Sequence, residues 1–130
     1  MNLRLLSAAL IAGFTTFAHL FFGVTDVVSP LLETPALPLQ LRLTIFAVWH
    51  LTSLTLGFSA LALFIGSIPR YAQSVRSLVL FISILWLGFA AIFAMTALSQ
   101  PGSEWLFRLQ QWTVLLPVGL LGLWGYKKMA

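Results

Sequence analysis

Two histidines lie inside long apolar runs of the sequence, and they are the residues best placed to carry chemistry. His19 lies about five residues before the end of the run 5–24, and His50 about seven residues after the start of the run 43–66. An ionisable side chain is costly inside a bilayer, so each is a functional hypothesis by default. Imidazole can bind iron or another metal, relay a proton, or hydrogen-bond to a neighbouring helix.

Small and polar residues accompany each histidine at three- and four-residue steps, which places them on the same helix face. The first set is Ala12, Thr15, Thr16, Gly23 and Asp26, and the second is Arg42, Phe46, Trp49, Ser53 and Gly57. Two such faces in otherwise apolar helices are predicted to form the packed interior. Because the two histidines lie at similar depth, both rings are expected to point inward, close enough for contact or for one bridging atom.

Three specific interpretations of the histidine pair remain open, besides a proton relay or quinone-type binding. In the first, each imidazole only hydrogen-bonds across the helices. In the second, His19 and His50 together hold a b-type haem, with Gly23 and Gly57 leaving room for the porphyrin. In the third, the two histidines bind a divalent metal, with Asp26 or Glu33 as a further ligand.

Arg42 and Trp49 are the next candidates for a cofactor site. Arg42 precedes His50 by two helical turns and could bind a carboxylate, a haem propionate or a lipid phosphate. It could equally pair with Asp26 or Glu33 at the surface. Trp49 could form a stacking wall for a cofactor, or it could serve only in packing between helices.

Four apolar segments are available to position these residues. A bilayer core about 30 Å thick requires roughly 20 helical residues. The runs 5–24, 43–66 and 77–98 meet this length without a charge, and a fourth, 105–126, does so only if it includes Arg108. Residues 25–40 contain three prolines and are expected to form a non-helical loop over the ends of the helices.

The distribution of charge predicts the orientation. With the N-terminus inside, the inner side carries five cations and no acid, whereas the outer side carries two cations and all three acids. The inner cations are Arg4, Arg70, Arg76, Lys127 and Lys128, and the outer charges are Arg42, Arg108, Asp26, Glu33 and Glu104. Cytoplasmic loops are enriched in Lys and Arg. We therefore expect a single domain, 1–130, that is an all-α antiparallel four-helix transmembrane bundle with both termini cytoplasmic.

The sequence lacks the residues that several classes of enzyme and cofactor site require. The chain has no cysteine, which excludes thiolate metal sites and covalent c-type haem attachment. It has no phosphate-binding glycine loop, no HExxH and no Ser/His/Asp set. The pI of about 10.4 reflects seven scattered cations beside apolar runs, and we interpret these as topology signals, with a lipid bilayer and not nucleic acid as the partner.

The segment from His19 to Gly23, followed by Arg42 and the stretch Trp49-His50-Leu51-Thr52-Ser53, resembles a group of small bacterial inner-membrane proteins with four helices and no assigned function. In that group a glutamate usually follows the glycine, whereas this chain has Val24. The resemblance covers the first half of the chain. It implies a four-helix fold in a bacterial cytoplasmic membrane and brings no activity with it.

The leading functional expectation is a redox or haem-associated membrane subunit that uses His19 and His50. The alternatives are a non-catalytic structural or assembly subunit of a larger membrane complex, and divalent-metal binding at the same site. A homo-oligomer is compatible with each.

Overall fold

The computed structural model of the chain describes residues 1–129, and this part of the chain is helical without β-strands. The elements are α1 (Leu3–Gly23), a π-helical segment (Val24–Val28), α2 (Ser29–Glu33), α3 (Leu39–Ser67), α4 (Arg76–Leu98), α5 (Trp105–Arg108) and α6 (Trp112–Tyr126). The first three elements are continuous with one another. The expectation of an all-α fold is confirmed.

Within residues 1–129, three helical segments are long and apolar enough to cross a membrane: Leu3–Glu33, α3 and α4. The fourth expected helix, 105–126, is interrupted. The backbone of Leu109 leaves the helical region with φ −102° and ψ 57°, which ends α5 after one turn. α6 has 15 residues, or about 22 Å at 1.5 Å per residue, and is shorter than the other three segments.

The expected loop over residues 25–40 is wrong for its first half, because the helix continues to Glu33. The backbone N–H of Ser29 donates to the carbonyl oxygen of Val24, five residues earlier, so the helix widens just before Pro30. Pro30 then lies in the first turn of α2, where a helix needs no N–H from it. The non-helical stretch is confined to 34–38, and it contains the remaining two prolines of this region.

The helices pack in the order α3, α1, α6, α4. α1 contacts both α3 and α6, and α6 also contacts α4, whereas α3 and α4 touch little. α3 and α4 are therefore not close neighbours, although they follow one another in the chain. Glycines allow the close contacts of α6: a Cβ atom on Gly125 would lie 2.6 Å from Leu5, and one on Gly119 2.6 Å from Leu87.

Both chain ends are tied to the same end of the helical structure, which we call the terminal end. The backbone N–H of Asn2 donates to the carbonyl oxygen of Ser67 at 2.8 Å, and its side-chain amide donates to that of Gly125 at 2.9 Å. The amide of Gln73 donates to the carbonyl oxygen of Met129. We call the opposite end the distal end.

The buried core lies towards the terminal end. Its members are Leu5, Ala8, Ala9, Ala12, Leu56, Ala62, Leu63, Val79, Ile82, Trp86, Ala90, Leu115, Val118 and Met129. On α1 these residues end at Ala12, and on α3 they begin at Leu56. The histidines lie beyond both limits, in the distal half, where the packing is looser.

Candidate functional site

His19 packs face to face on the indole of Trp49. The ring centroids are 3.7 Å apart and the ring planes differ by 15°. The Nε2 atom of His19 lies 3.4 Å from the carbonyl oxygen of Trp49, within reach of a hydrogen bond when that nitrogen carries the proton. Both contacts join α1 to α3, so the structure places His19 in a helix-to-helix contact.

Gly23 provides the space for this indole. A Cβ atom on Gly23 would lie closer than 3.0 Å to both Cη2 and Cζ2 of Trp49. His19 and Gly23 are four residues apart and therefore on the same face of α1. The space beside Gly23, which was expected to leave room for a porphyrin, is occupied by Trp49 in the structure.

His50 has a different environment, although it lies at a similar depth. Each histidine is about 17 residues along its helix from the hydrogen bond between Asn2 and Ser67. The ring of His50 meets Phe46 edge to face, with centroids 4.5 Å apart at 85°. His50 is exposed, so the expectation that its ring points into the interior is wrong.

An open groove between α1 and α3 begins at His50 and has a volume of about 610 Å³. It is lined by Thr16, Leu20, His50, Ser53, Leu54, Gly57, Phe58 and Leu61. A Cβ atom on Gly57 would make an ordinary van der Waals contact with the methyl group of Thr16, at 3.8 Å. Polar groups gather near His50, while Leu54, Phe58 and Leu61 form an apolar wall.

The two hydroxyls of the groove are already donating to backbone oxygens. Thr16 donates to Ala12 at 2.8 Å and Ser53 donates to Trp49 at 3.0 Å. Within residues 1–129, the only histidine in a hydrogen bond is His19. The imidazole of His50 is therefore the groove's free polar group.

Asp26 does not join the histidines. The π-helical turn contains one more residue per turn than an α-helix, so the face shared by His19 and Gly23 is not continued to Asp26. The carboxylate of Asp26 is exposed and accepts a hydrogen bond from the hydroxyl of Thr25 at 3.3 Å. Residues 1–129 contain no group of three or more His, Cys, Asp or Glu side chains that could hold a metal ion.

Arg42 attaches the start of α3 to α2. Its Nη1 atom donates to the backbone carbonyl oxygen of Leu32, so this hydrogen bond is made to a carbonyl and not to the carboxylate of Asp26 or Glu33. Within the described residues, Nε of Arg42 and Nε1 of Trp49 are buried and have no hydrogen-bond partner.

The sequence of the chain matches no protein-family model, no curated protein and no solved structure. Function must therefore be argued from the site itself. Five of the seven expected site residues fall into two sets in the structure, and Arg42 and Asp26 belong to neither set. His19, Trp49 and Gly23 form the helix contact, whereas His50 and Gly57 line the groove.

Sequence reasoning missed most of the groove's apolar lining. Leu54, Phe58 and Leu61 follow His50 at three- and four-residue steps, which places them on its side of α3. The spacing was available in the sequence. It carried no signal because almost every residue of this run is apolar.

Proposed function

We propose that this chain is an integral membrane protein with four spanning segments in antiparallel order, and with both termini on the cytoplasmic side of a bacterial inner membrane. The contacts of the terminal end support the order of the helices, since α1 and α4 begin there and α3 and α6 end there. The five inner cations belong to the terminal end, and all three acids lie elsewhere in the sequence. The excess of cations supports the cytoplasmic side.

The proposed function is to bind an uncharged amphiphile of the quinone type in the groove at His50, as a redox-associated membrane subunit. One observation carries this proposal: the imidazole of His50, which makes no hydrogen bond within residues 1–129, opens onto a groove with an apolar wall, and the hydroxyls of that groove already donate to backbone oxygens. At this depth in a bilayer, a polar group without a partner is costly. A bound carbonyl group would satisfy the imidazole N–H.

The dimensions and polarity of the groove support the same class of ligand. Its volume of about 610 Å³ lies within the range of small-molecule sites, roughly 300–1,000 Å³. No charged side chain lines it. The head of a quinone would lie at His50 and accept its hydrogen bond, and an isoprenoid tail would follow Leu54, Phe58 and Leu61 towards the terminal end.

The haem and metal alternatives receive less support from these contacts. Bis-imidazole ligation requires both rings to reach one iron, with coordination bonds near 2 Å. His19 would first have to leave its stack on Trp49. A divalent ion would find two histidines and no third ligand from Asp26.

A titration of the purified protein with a short-chain prenyl quinone tests the proposal. Quinones quench indole fluorescence, and Trp49 is adjacent to His50 in the chain, so binding should give a saturable decrease. His50→Phe should weaken binding at least tenfold. His19→Phe keeps an aromatic ring against Trp49 and is the matched control, which should bind as the unmodified protein does.

The titration also distinguishes the alternatives. If His50→Phe binds the quinone as tightly as the unmodified protein does, the proposed quinone site is overturned. A Soret band in the purified protein, lost in both His50→Phe and His19→Phe, would establish the haem pair instead. A colourless protein that binds no quinone would favour the structural or assembly subunit, whose partner helix would then occupy the groove.

A further inference from the structure

A second cavity, of about 540 Å³, opens at the terminal end and is independent of the groove at His50. It lies between the start of α1, the end of α3, the segment before α4 and the residues that follow α6. Two cationic side chains line it: Arg4 and Lys128.

The neutral polar side chains around this cavity are already used within the protein. Asn2 donates to Gly125, Ser67 donates to Phe64, and Gln73 donates to Met129. Each of these bonds ends on a backbone oxygen, and together they fix the walls of the cavity. The cations are the groups that remain for a ligand.

Arg4 is held in place by an aromatic ring. Its guanidinium carbon lies 3.8 Å from the ring centroid of Trp124 on α6, a cation–π contact. Its Nη1 atom is buried and has no hydrogen-bond partner within residues 1–129. A buried guanidinium N–H without an acceptor is costly, and a bound anion would supply one.

No acidic side chain neutralises these groups. The three acids lie outside the terminal end. They belong to the π-helical segment (Asp26), to α2 (Glu33) and to the connection before α5 (Glu104).

We infer that this cavity binds the phosphate of an anionic membrane phospholipid, with Arg4 and Lys128 as its cationic contacts. The mouth of the cavity favours a lipid as the source of the phosphate. Met1 and Leu3 line it and are 68% and 67% exposed. About two helical turns after Leu3 on α1, Leu10 is 66% exposed and continues an apolar path for an acyl chain. Trp124 has the amphipathic ring that prefers the membrane–water interface.

The test uses the full chain in neutral detergent micelles and follows the midpoint of thermal unfolding. Phosphatidylglycerol should raise the midpoint saturably, whereas phosphatidylcholine and inorganic phosphate should not. The double variant Arg4→Gln/Lys128→Gln should bind phosphatidylglycerol at least tenfold more weakly. The control Arg108→Gln/Lys127→Gln removes the same charge from residues outside the cavity and should bind normally.

Lys128 is exposed, so Lys128→Gln alone should fold even if the double variant does not, and it should weaken binding severalfold. Equal stabilisation by phosphatidylcholine, or equal loss of binding in the control variant, would overturn the site. Equal stabilisation by inorganic phosphate would overturn the assignment to a lipid. None of these results depends on the groove at His50.

Discussion

Gly23→Ala should destabilise the protein through a single side chain of another helix. The added Cβ atom would fall closer than 3.0 Å to two carbons of the Trp49 indole. The indole cannot move away freely, because it also stacks on the ring of His19, with 3.7 Å between the ring centroids. Overpacking of this kind typically costs about 1–3 kcal/mol.

The helix itself partly offsets this cost, because alanine is favoured over glycine in a helix by about 1 kcal/mol. Gly13 lies on the same helix, and a Cβ atom there would meet nothing within 4 Å. Gly13→Ala should therefore show the gain without the clash. The difference in unfolding free energy between Gly13→Ala and Gly23→Ala, about 1–3 kcal/mol, measures the contact with Trp49.

The unfolding free energy of both variants is measured by reversible unfolding in mixed micelles with increasing SDS. Far-UV circular dichroism follows the loss of helix. The same pair is then compared in a Trp49→Leu background. Removing the indole removes the clash, so Gly23→Ala should there behave like Gly13→Ala, and the double-mutant cycle should return a coupling energy of about 1–3 kcal/mol. A Gly23→Ala variant as stable as Gly13→Ala in the presence of Trp49 would refute the stack as described.

Three further outcomes are expected. His19→Phe should keep the emission spectrum of Trp49 close to that of the unmodified protein, whereas His19→Ala should shift it by opening one face of the indole. Gly122→Ala, whose new Cβ atom would meet a side chain of α4 at less than 3.0 Å, should lower the unfolding midpoint in SDS, and Gly88→Ala, with open space, should not. A C-terminal fluorescent fusion should glow in cells and a C-terminal periplasm-dependent phosphatase should be inactive, and the reverse result would refute the cytoplasmic placement.

The helical elements could be predicted from the sequence because uncharged runs of about 20 residues leave few alternatives in a bilayer. The ends of the elements could not. Pro30 was expected to lie in a non-helical loop, but its place in a first turn allows the helix to continue. The break at Leu109 also gave no clear signal, since neither glycine nor proline occupies it.

The candidate site was predicted in its residues and not in its contacts. Helical spacing placed His19 and Gly23 on one face, and the structure agrees. Helical spacing alone could not show that the indole of Trp49, from α3, would occupy that face of α1. Trp49 and His50 are consecutive, so they lie about 100° apart around α3, and only one of them can face His19. The larger ring takes that position, which leaves His50 for the groove.

The unequal lengths of the helices bear on the thickness of the surrounding bilayer. α3, with 29 residues, extends about 43 Å, whereas α6 extends about 22 Å. A hydrocarbon core of about 30 Å is shorter than the first and longer than the second. The bilayer would have to become thinner beside α6, and α3 would have to tilt or project beyond the hydrocarbon core. Such a protein would deform the bilayer differently beside α3 and beside α6, and it would favour regions where the bilayer is already thin.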